Sequence, residues 1–188
     1  YMIRFILSVV FLITSISVVH AATKIDGVKL PDDLSFEASE LVLNGAGVRS
    51  KFFVHVYIAA LYLGEKSSDA ETIIAADEPM NIRVVITSDL ITGERFAESA
   101  MDGFVRSTHG DLSGIKSEVD VMIETFRSSL ENGDVFDLNY VPDVGVEIYR
   151  NGEKKEVVPG LAFKQAMFGI WLSDDPVQGH LRDDMLSK

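Results

Sequence analysis

The sequence contains no cysteine and few basic residues for its 188 positions. Without cysteine, disulfide bonds, thiol catalysis and thiolate metal sites are all excluded. Lysine and arginine total 17 against 29 aspartates and glutamates, and the formal net charge is -12. A chain with this excess of acid repels phosphate backbones, so we expect no nucleic-acid partner and, for the chain as a whole, no attraction to an anionic membrane.

Long apolar runs are also missing, except at the N-terminus. The stretch "MIRFILSVVFLITSISVVHA" has Arg4, then an apolar run over residues 5–16, then small residues at its end. This order is typical of a secretory signal peptide, and the run is shorter than the roughly 20 residues of a membrane span. We therefore predict a signal peptide over residues 1–21 and a mature domain over residues 22–188, periplasmic or secreted. An uncleaved N-terminal anchor is the alternative.

Residue patterns in the mature chain predict strands first, helices in the middle, further strands and then C-terminal helices. The predicted helix after Thr92 has that threonine as its cap, and Asn151-Gly152 is the strongest hairpin signal. The strand-like segments are 39–47, which runs into the glycine turn, 52–63, 80–88, 135–141 and 145–158. The helical segments are 67–76, 92–110, 117–130, 161–172 and the residues leading to Met185. This order predicts an α+β domain with helices layered on one side of a large antiparallel sheet.

Motifs for catalysis, metals and cofactors are absent from the sequence. The four histidines, His20, His55, His109 and His180, have no metal-ligand spacing. The glycine turn "GAG" lacks the third glycine of a dinucleotide loop and precedes a strand, and no GxSxG elbow supports serine hydrolysis. We interpret the Asp174-Asp175 pair as a cap of the final helix rather than a metal site. No catalytic residue, metal ligand or cofactor is assigned.

Arg49 stands between the glycine turn and the segment 52–63. In an unbroken strand, one face would be apolar and pack on the core, and the other would be mixed. Arg49 would share the mixed face with Phe53, His55 and Tyr57. An arginine beside an apolar, aromatic surface suits a carboxylate, because its fork matches two oxygens. A surface arginine beside a turn is the alternative, and a bulge would reverse the parity.

Three segments together resemble the chalcone isomerase-like superfamily, and its bacterial exported branch in particular. They are "LVLNGAGVRSKFFVHVYIAALYL", "LITGERFAESAMDGF" and "FGIWLSDDPVQGHLRDDML". The resemblance runs from about Gly27 to Leu186. It implies an open-faced β-sandwich, in which a large antiparallel sheet and a layer of helices enclose a ligand cleft. Plant members of the superfamily are isomerases that close a chalcone into a flavanone, fatty-acid-binding proteins, or non-catalytic helpers.

The resemblance also implies roles for particular residues. Arg49 matches the family arginine. The family threonine falls on Tyr57, the tyrosine falls on Phe96 in "ITGERF", and the asparagine falls near Gly103. Phe96 cannot donate a hydrogen bond, so the pair that organises a water near the ketone in the isomerases is incomplete.

We therefore expect a non-catalytic exported protein that binds a fatty acid or similar small apolar carboxylate, with Arg49, Tyr57 and Phe96 as ligand-binding residues. One alternative is an isomerase or lyase acting on an enone. The other is a structural or partner-binding protein in which Arg49 is held by an internal salt bridge.

Overall fold

The computed structural model describes residues 22–188, and the predicted signal peptide lies outside the described residues. In this part of the chain, nine strands and five helices follow one another in the order expected of an α+β domain. The strands are β1 (Ala22–Ile25), β2 (Val28–Pro31), β3 (Asp33–Phe36), β4 (Ser39–Lys51), β5 (Val54–Leu63), β6 (Met80–Ile86), β7 (Val135–Val141), β8 (Gly145–Arg150) and β9 (Glu153–Val158). The helices are α1 (Ala70–Ala75), α2 (Gly93–Ser107), α3 (Lys116–Phe126), α4 (Leu161–Leu172) and α5 (Gly179–Met185).

Seven of the strands, β3 to β9, form one sheet in sequence order, and every neighbouring pair is antiparallel. The two short strands β1 and β2 form a separate hairpin. This hairpin packs on one face of the large sheet, where Leu30 joins Ile58, Ala60 and Tyr62 in a small buried cluster. The Tyr62 hydroxyl donates a hydrogen bond to the Pro31 carbonyl oxygen at 2.9 Å.

The helices cover the opposite face of the sheet and enclose the main core. The buried side chains of this core come from the sheet and from all five helices, and include Leu61, Ile82, Phe104, Phe126, Phe136, Phe163, Met167 and Met185. As predicted, α2 begins after Thr92, whose hydroxyl accepts a hydrogen bond from the Arg95 backbone N–H at 3.3 Å. The predicted antiparallel sheet with a helical layer is confirmed.

The segment predicted as one strand over 52–63 is shorter in the structure, because β5 begins at Val54. Phe52 and Phe53 form a two-residue turn between β4 and β5, with φ angles of +49° and +66°. Both angles lie in the left-handed region that bulky residues rarely adopt, and nothing in the composition of "KFFV" signals a turn there.

The prediction that Arg49, Phe53, His55 and Tyr57 share one face is right for Arg49 and Tyr57 and wrong for the other two. Arg49 is paired with Tyr57 and Ser50 with His55, so Val56 is an extra, bulged residue in β5. The bulge places His55 on the face of the β1–β2 hairpin, where its Nδ1 lies 2.6 Å from Asp26 Oδ2.

The pattern predicts that only the apolar face of β5 packs on a core, but in the structure both faces do. Ile58 and Ala60 of the apolar face pack in the smaller cluster under the β1–β2 hairpin. Ala59 and Leu61 of the mixed face pack in the main core under the helices. The start of β5, at Val54, Val56 and Tyr57, lines a cavity.

The interpretation of Asp174-Asp175 as a helix cap is wrong. The residue before α5 is Gln178, and no side chain caps that helix. Asp175 instead forms an exposed ion pair with Arg106 of α2, at 2.5 Å.

Candidate functional site

A cleft lies where the tip of the β4–β5 hairpin approaches the beginning of α2. Its volume is about 460 Å³, within the range of small-molecule sites, which is roughly 300–1,000 Å³. The hairpin supplies one wall, and the loop before α2 with the first turns of α2 supplies the other. The lining residues are Arg49, Lys51, Phe52, Val54, Val56, Tyr57, Ser88, Leu90, Ile91, Arg95, Glu98, Ser99 and Asp102.

Arg49 lies near the end of β4 and is partly buried. Its Nη1 donates to the Ser50 carbonyl oxygen at 2.6 Å and to Gln178 Oε1 at 2.9 Å. Both acceptors are neutral, and within residues 22–188 no carboxylate forms an ion pair with this guanidinium. This partly buried cation at the cleft wall therefore has no ion-pair partner in the described part of the chain, although Glu98 and Asp102 line the same cleft.

Gln178 holds Arg49 in this position, and sequence reasoning missed it. Its Oε1 also accepts a hydrogen bond from the Ser50 backbone N–H at 3.0 Å. This amide therefore ties the residue before α5 to the end of β4, 129 positions away. No motif in "DPVQGH" marks Gln178, because its role depends on how α5 packs against β4.

Tyr57 lies beside Arg49 and is buried. The Trp171 indole N–H donates to the Tyr57 hydroxyl oxygen at 3.1 Å. Burial raises the pKa of Tyr57 above its ordinary value, whereas the Trp171 hydrogen bond and the positive charge of Arg49 act in the opposite direction. Trp171 belongs to the apolar helix α4, whose sequence gives no sign of this hydrogen bond.

Phe96 lies at the inner end of the cleft, away from the mouth. Its ring packs edge-on against Tyr57, with centroids 6.0 Å apart, and against Phe126 at 4.9 Å and Phe136 at 5.6 Å. The inner pocket that Phe96 and Trp171 line has a volume of only about 20 Å³, space for one water molecule. Tyr57 and Ser99 line both spaces.

Gly103, near the position implied for the family asparagine, faces α4 and not the cleft. A Cβ at this position would lie 2.7 Å from Cγ2 of Ile170, so α2 and α4 approach too closely for a side chain. The adjacent residue, Asp102, lines the cleft and is the polar side chain nearest this position in the sequence.

The charge around the cleft differs from that of the whole chain. Arg49, Lys51 and Arg95 line it together with Glu98 and Asp102, although acids outnumber bases 29 to 17 in the sequence. Within residues 22–188, no three metal-ligating side chains lie together. The cleft thus offers charged and hydrogen-bonding side chains next to an apolar wall.

The fold is an antiparallel sheet with a helical layer on one face, and the cleft lies between the β4–β5 hairpin and α2. The sequence model of the chalcone isomerase-like family matches residues 22–187. The protein therefore belongs to that family.

Solved structures agree with this fold. The crystal structure of a fatty-acid binding protein from Arabidopsis thaliana superposes with a TM-score of 0.69, over 88% of this chain and 96% of that one, at 14% sequence identity. No curated protein sequence matches the chain significantly. Among residues 22–188, no helix has the length and apolar character needed to cross a membrane.

Proposed function

We propose that this protein binds a fatty acid or a similar small apolar carboxylate in the cleft, without chemical conversion. The observation that carries the proposal is Arg49, a partly buried cation on the cleft wall that neutral groups hold and that forms no ion pair with a carboxylate of residues 22–188. A ligand carboxylate would accept charge-assisted hydrogen bonds from its guanidinium. The neighbouring apolar side chains Val54, Val56 and Ile91 would contact the ligand chain.

The structural neighbour from Arabidopsis is described as a fatty-acid binding protein, which supports the same class of ligand. Tyr57 would contribute its hydroxyl near the carboxylate, and Phe96 would close the inner end. Because the inner pocket has room for about one water molecule, the ligand chain would occupy the outer cleft unless the aromatic side chains move.

The proposal includes export of the protein, on the evidence of the N-terminal sequence pattern. A lipid carrier outside the cytoplasm would carry an apolar ligand through water between two membranes. Cyclisation of a chalcone is not proposed, because Phe96 offers no hydrogen bond and Gly103 faces α4. A mature protein that leaves chalcone absorbance changing at the spontaneous rate would agree with this conclusion.

The test is a titration with a long-chain fatty acid, comparing the wild type with Arg49→Ala. We expect saturable binding that weakens in the variant by about 10- to 150-fold, which corresponds to about 1.5–3 kcal/mol for a hydrogen bond to a charged group. Arg106→Ala is the matched control, since Arg106 is an exposed arginine paired with Asp175 and does not line the cleft. Absence of saturable binding by the wild type would favour a partner-binding role instead.

A further inference from the structure

Two aromatic side chains stand in solvent at the tip of the β4–β5 hairpin. Phe52 is 84% exposed and Phe53 is fully exposed at 105%. Leu90, 70% exposed, lines the same cleft mouth as Phe52. The other large apolar side chains that are exposed in residues 22–188 are four valines, so the tip holds the most apolar surface left uncovered there.

The backbone at this tip is unfavourable for the residues that occupy it. Positive φ angles at both central residues define the type I′ hairpin turn, which favours Asn-Gly. The β8–β9 turn of the same chain has this geometry with the preferred sequence, at Asn151 (φ +52°) and Gly152 (φ +80°). At Phe52 and Phe53 the strain has no compensation from packing, because both side chains are exposed. Contact of the two rings with another molecule or surface would supply this compensation.

The β4–β5 hairpin is positively charged, which favours contact with a negatively charged surface. No aspartate or glutamate occurs between Glu40 and Glu65, although the chain contains 29 of them, and the tip carries Arg49 and Lys51. Lys51 Nζ lies 6.0 Å from the centroid of the Phe52 ring. Exposed phenylalanines next to a lysine suit the boundary between acyl chains and anionic headgroups. The acidic remainder of the chain is repelled by such a surface, so the charge distribution also selects the orientation.

We propose that the β4–β5 tip docks on phospholipid bilayers that contain anionic headgroups, with Phe52 and Phe53 inserted and the mouth of the cleft at the lipid surface. Arg49 lines the cleft a few residues from the inserted rings, so a ligand would pass between bilayer and cleft without crossing water. The docking itself stands on observations separate from ligand binding, whereas the transfer of a ligand rests on the proposed function.

The first experiment places a fluorescent reporter at the tip of the intact chain. Phe53→Trp is mixed with vesicles of phosphatidylcholine and phosphatidylglycerol, and its emission should shift to the blue and be quenched by lipids brominated in the acyl chains. Val157→Trp on β9, an exposed site at the far edge of the sheet, is the control and should show neither change. Both variants keep the same N-terminus, so attachment of residues 1–21 to the bilayer cannot produce the difference. An unchanged emission of Phe53→Trp would overturn the proposal.

The second experiment gives the tip the sequence of the other turn. Phe52→Asn combined with Phe53→Gly should lower vesicle affinity by about tenfold or more, because apolar side chains are no longer buried on docking. Its thermal midpoint should be unchanged or higher, because Asn-Gly suits this turn. Retained vesicle affinity, or equal affinity for vesicles of phosphatidylcholine alone, would contradict the proposal. The Arg49→Ala titration in vesicle-free solution tests ligand binding separately, so the two proposals can fail independently.

Discussion

The two ends of the cleft differ in volume, polarity and packing. The mouth measures about 460 Å³ and is lined by Arg49, Lys51 and Arg95 together with apolar side chains. The inner end measures about 20 Å³ and is filled by the rings of Phe96 and Trp171 and their neighbours. Tyr57 belongs to both ends, with its hydroxyl bonded to Trp171 and its ring against Phe96.

This difference separates two requirements of a binder of apolar carboxylates. The cation that would hold the headgroup is already positioned at the mouth, by Gln178 and by the backbone of Ser50. The space for an apolar chain is available only in the outer part of the cleft, because the inner end is close-packed. Changes at the inner end should therefore affect stability most, and changes at the mouth should affect binding with little cost in stability.

The largest loss of stability is expected from Phe96→Ala, which breaks the packing of the inner end. The variant removes a ring in contact with Phe126 and Phe136 and should lower the free energy of unfolding by about 3–5 kcal/mol. The same void should increase the affinity for long-chain fatty acids. Urea denaturation and the fatty-acid titration measure the two effects.

Val105→Ala is the matched control for this change, since Val105 lies on the same helix and is exposed. It should change the free energy of unfolding by less than about 0.5 kcal/mol. A loss below about 1 kcal/mol in Phe96→Ala would show that the inner end is loosely packed, and the contrast between the two ends would then be wrong.

A smaller loss is expected from Tyr57→Phe, which removes the group shared by the two ends. The buried Trp171 N–H would lose its acceptor, at a cost of about 1–2 kcal/mol in the free energy of unfolding. Tyr149→Phe is the control, because that hydroxyl donates a longer hydrogen bond of 3.3 Å to Glu147 and lies on a partly exposed side chain. Equal losses in the two variants would mean that the Trp171 hydrogen bond contributes nothing particular.

The wild type and Tyr57→Phe should also differ in how their stability depends on pH. Burial raises the pKa of Tyr57 above its ordinary value of 10.0, so the folded state keeps this proton at pH values where the unfolded state releases it. The resulting stabilisation is fully present below about pH 10 and is lost as the pH rises through the raised pKa. The difference in unfolding free energy between wild type and Tyr57→Phe should therefore shrink above pH 10, and a constant difference would contradict the raised pKa.

Much of the fold could be predicted from the sequence because local signals agree with it. The Thr92 cap and the Asn151-Gly152 turn lie where their local chemistry predicts. Val119, Met122, Ile123 and Phe126 form the buried face of α3 that their helical spacing predicts. The order of strands and helices then limits the architecture to helices on one side of an antiparallel sheet.

The site could be predicted only in part, because its geometry depends on contacts between distant segments. Arg49 and Tyr57 share a face through the register of two strands, and the bulge at Val56 that removes His55 from that face has no sequence signature. Gln178 is missed because 129 residues separate it from Arg49. Phe52-Phe53 is missed as a turn because its residues contradict the geometry they adopt.

The smallest change in stability is expected from Gln178→Glu, which places a negative charge beside Arg49. It tests the contrast between a binding mouth and a close-packed inner end. A carboxylate at this position can still accept hydrogen bonds from Arg49 Nη1 and from the Ser50 N–H, so the free energy of unfolding should change by less than about 1 kcal/mol. The new charge would compete with a ligand carboxylate for Arg49, and the affinity for a fatty acid should fall towards that of Arg49→Ala. Gln165→Glu, on α4 and outside the cleft lining, changes the net charge equally and should leave the affinity unchanged. If both variants bind as the wild type does, the Arg49 charge has no part in binding, and the mouth is open without being selective for a carboxylate.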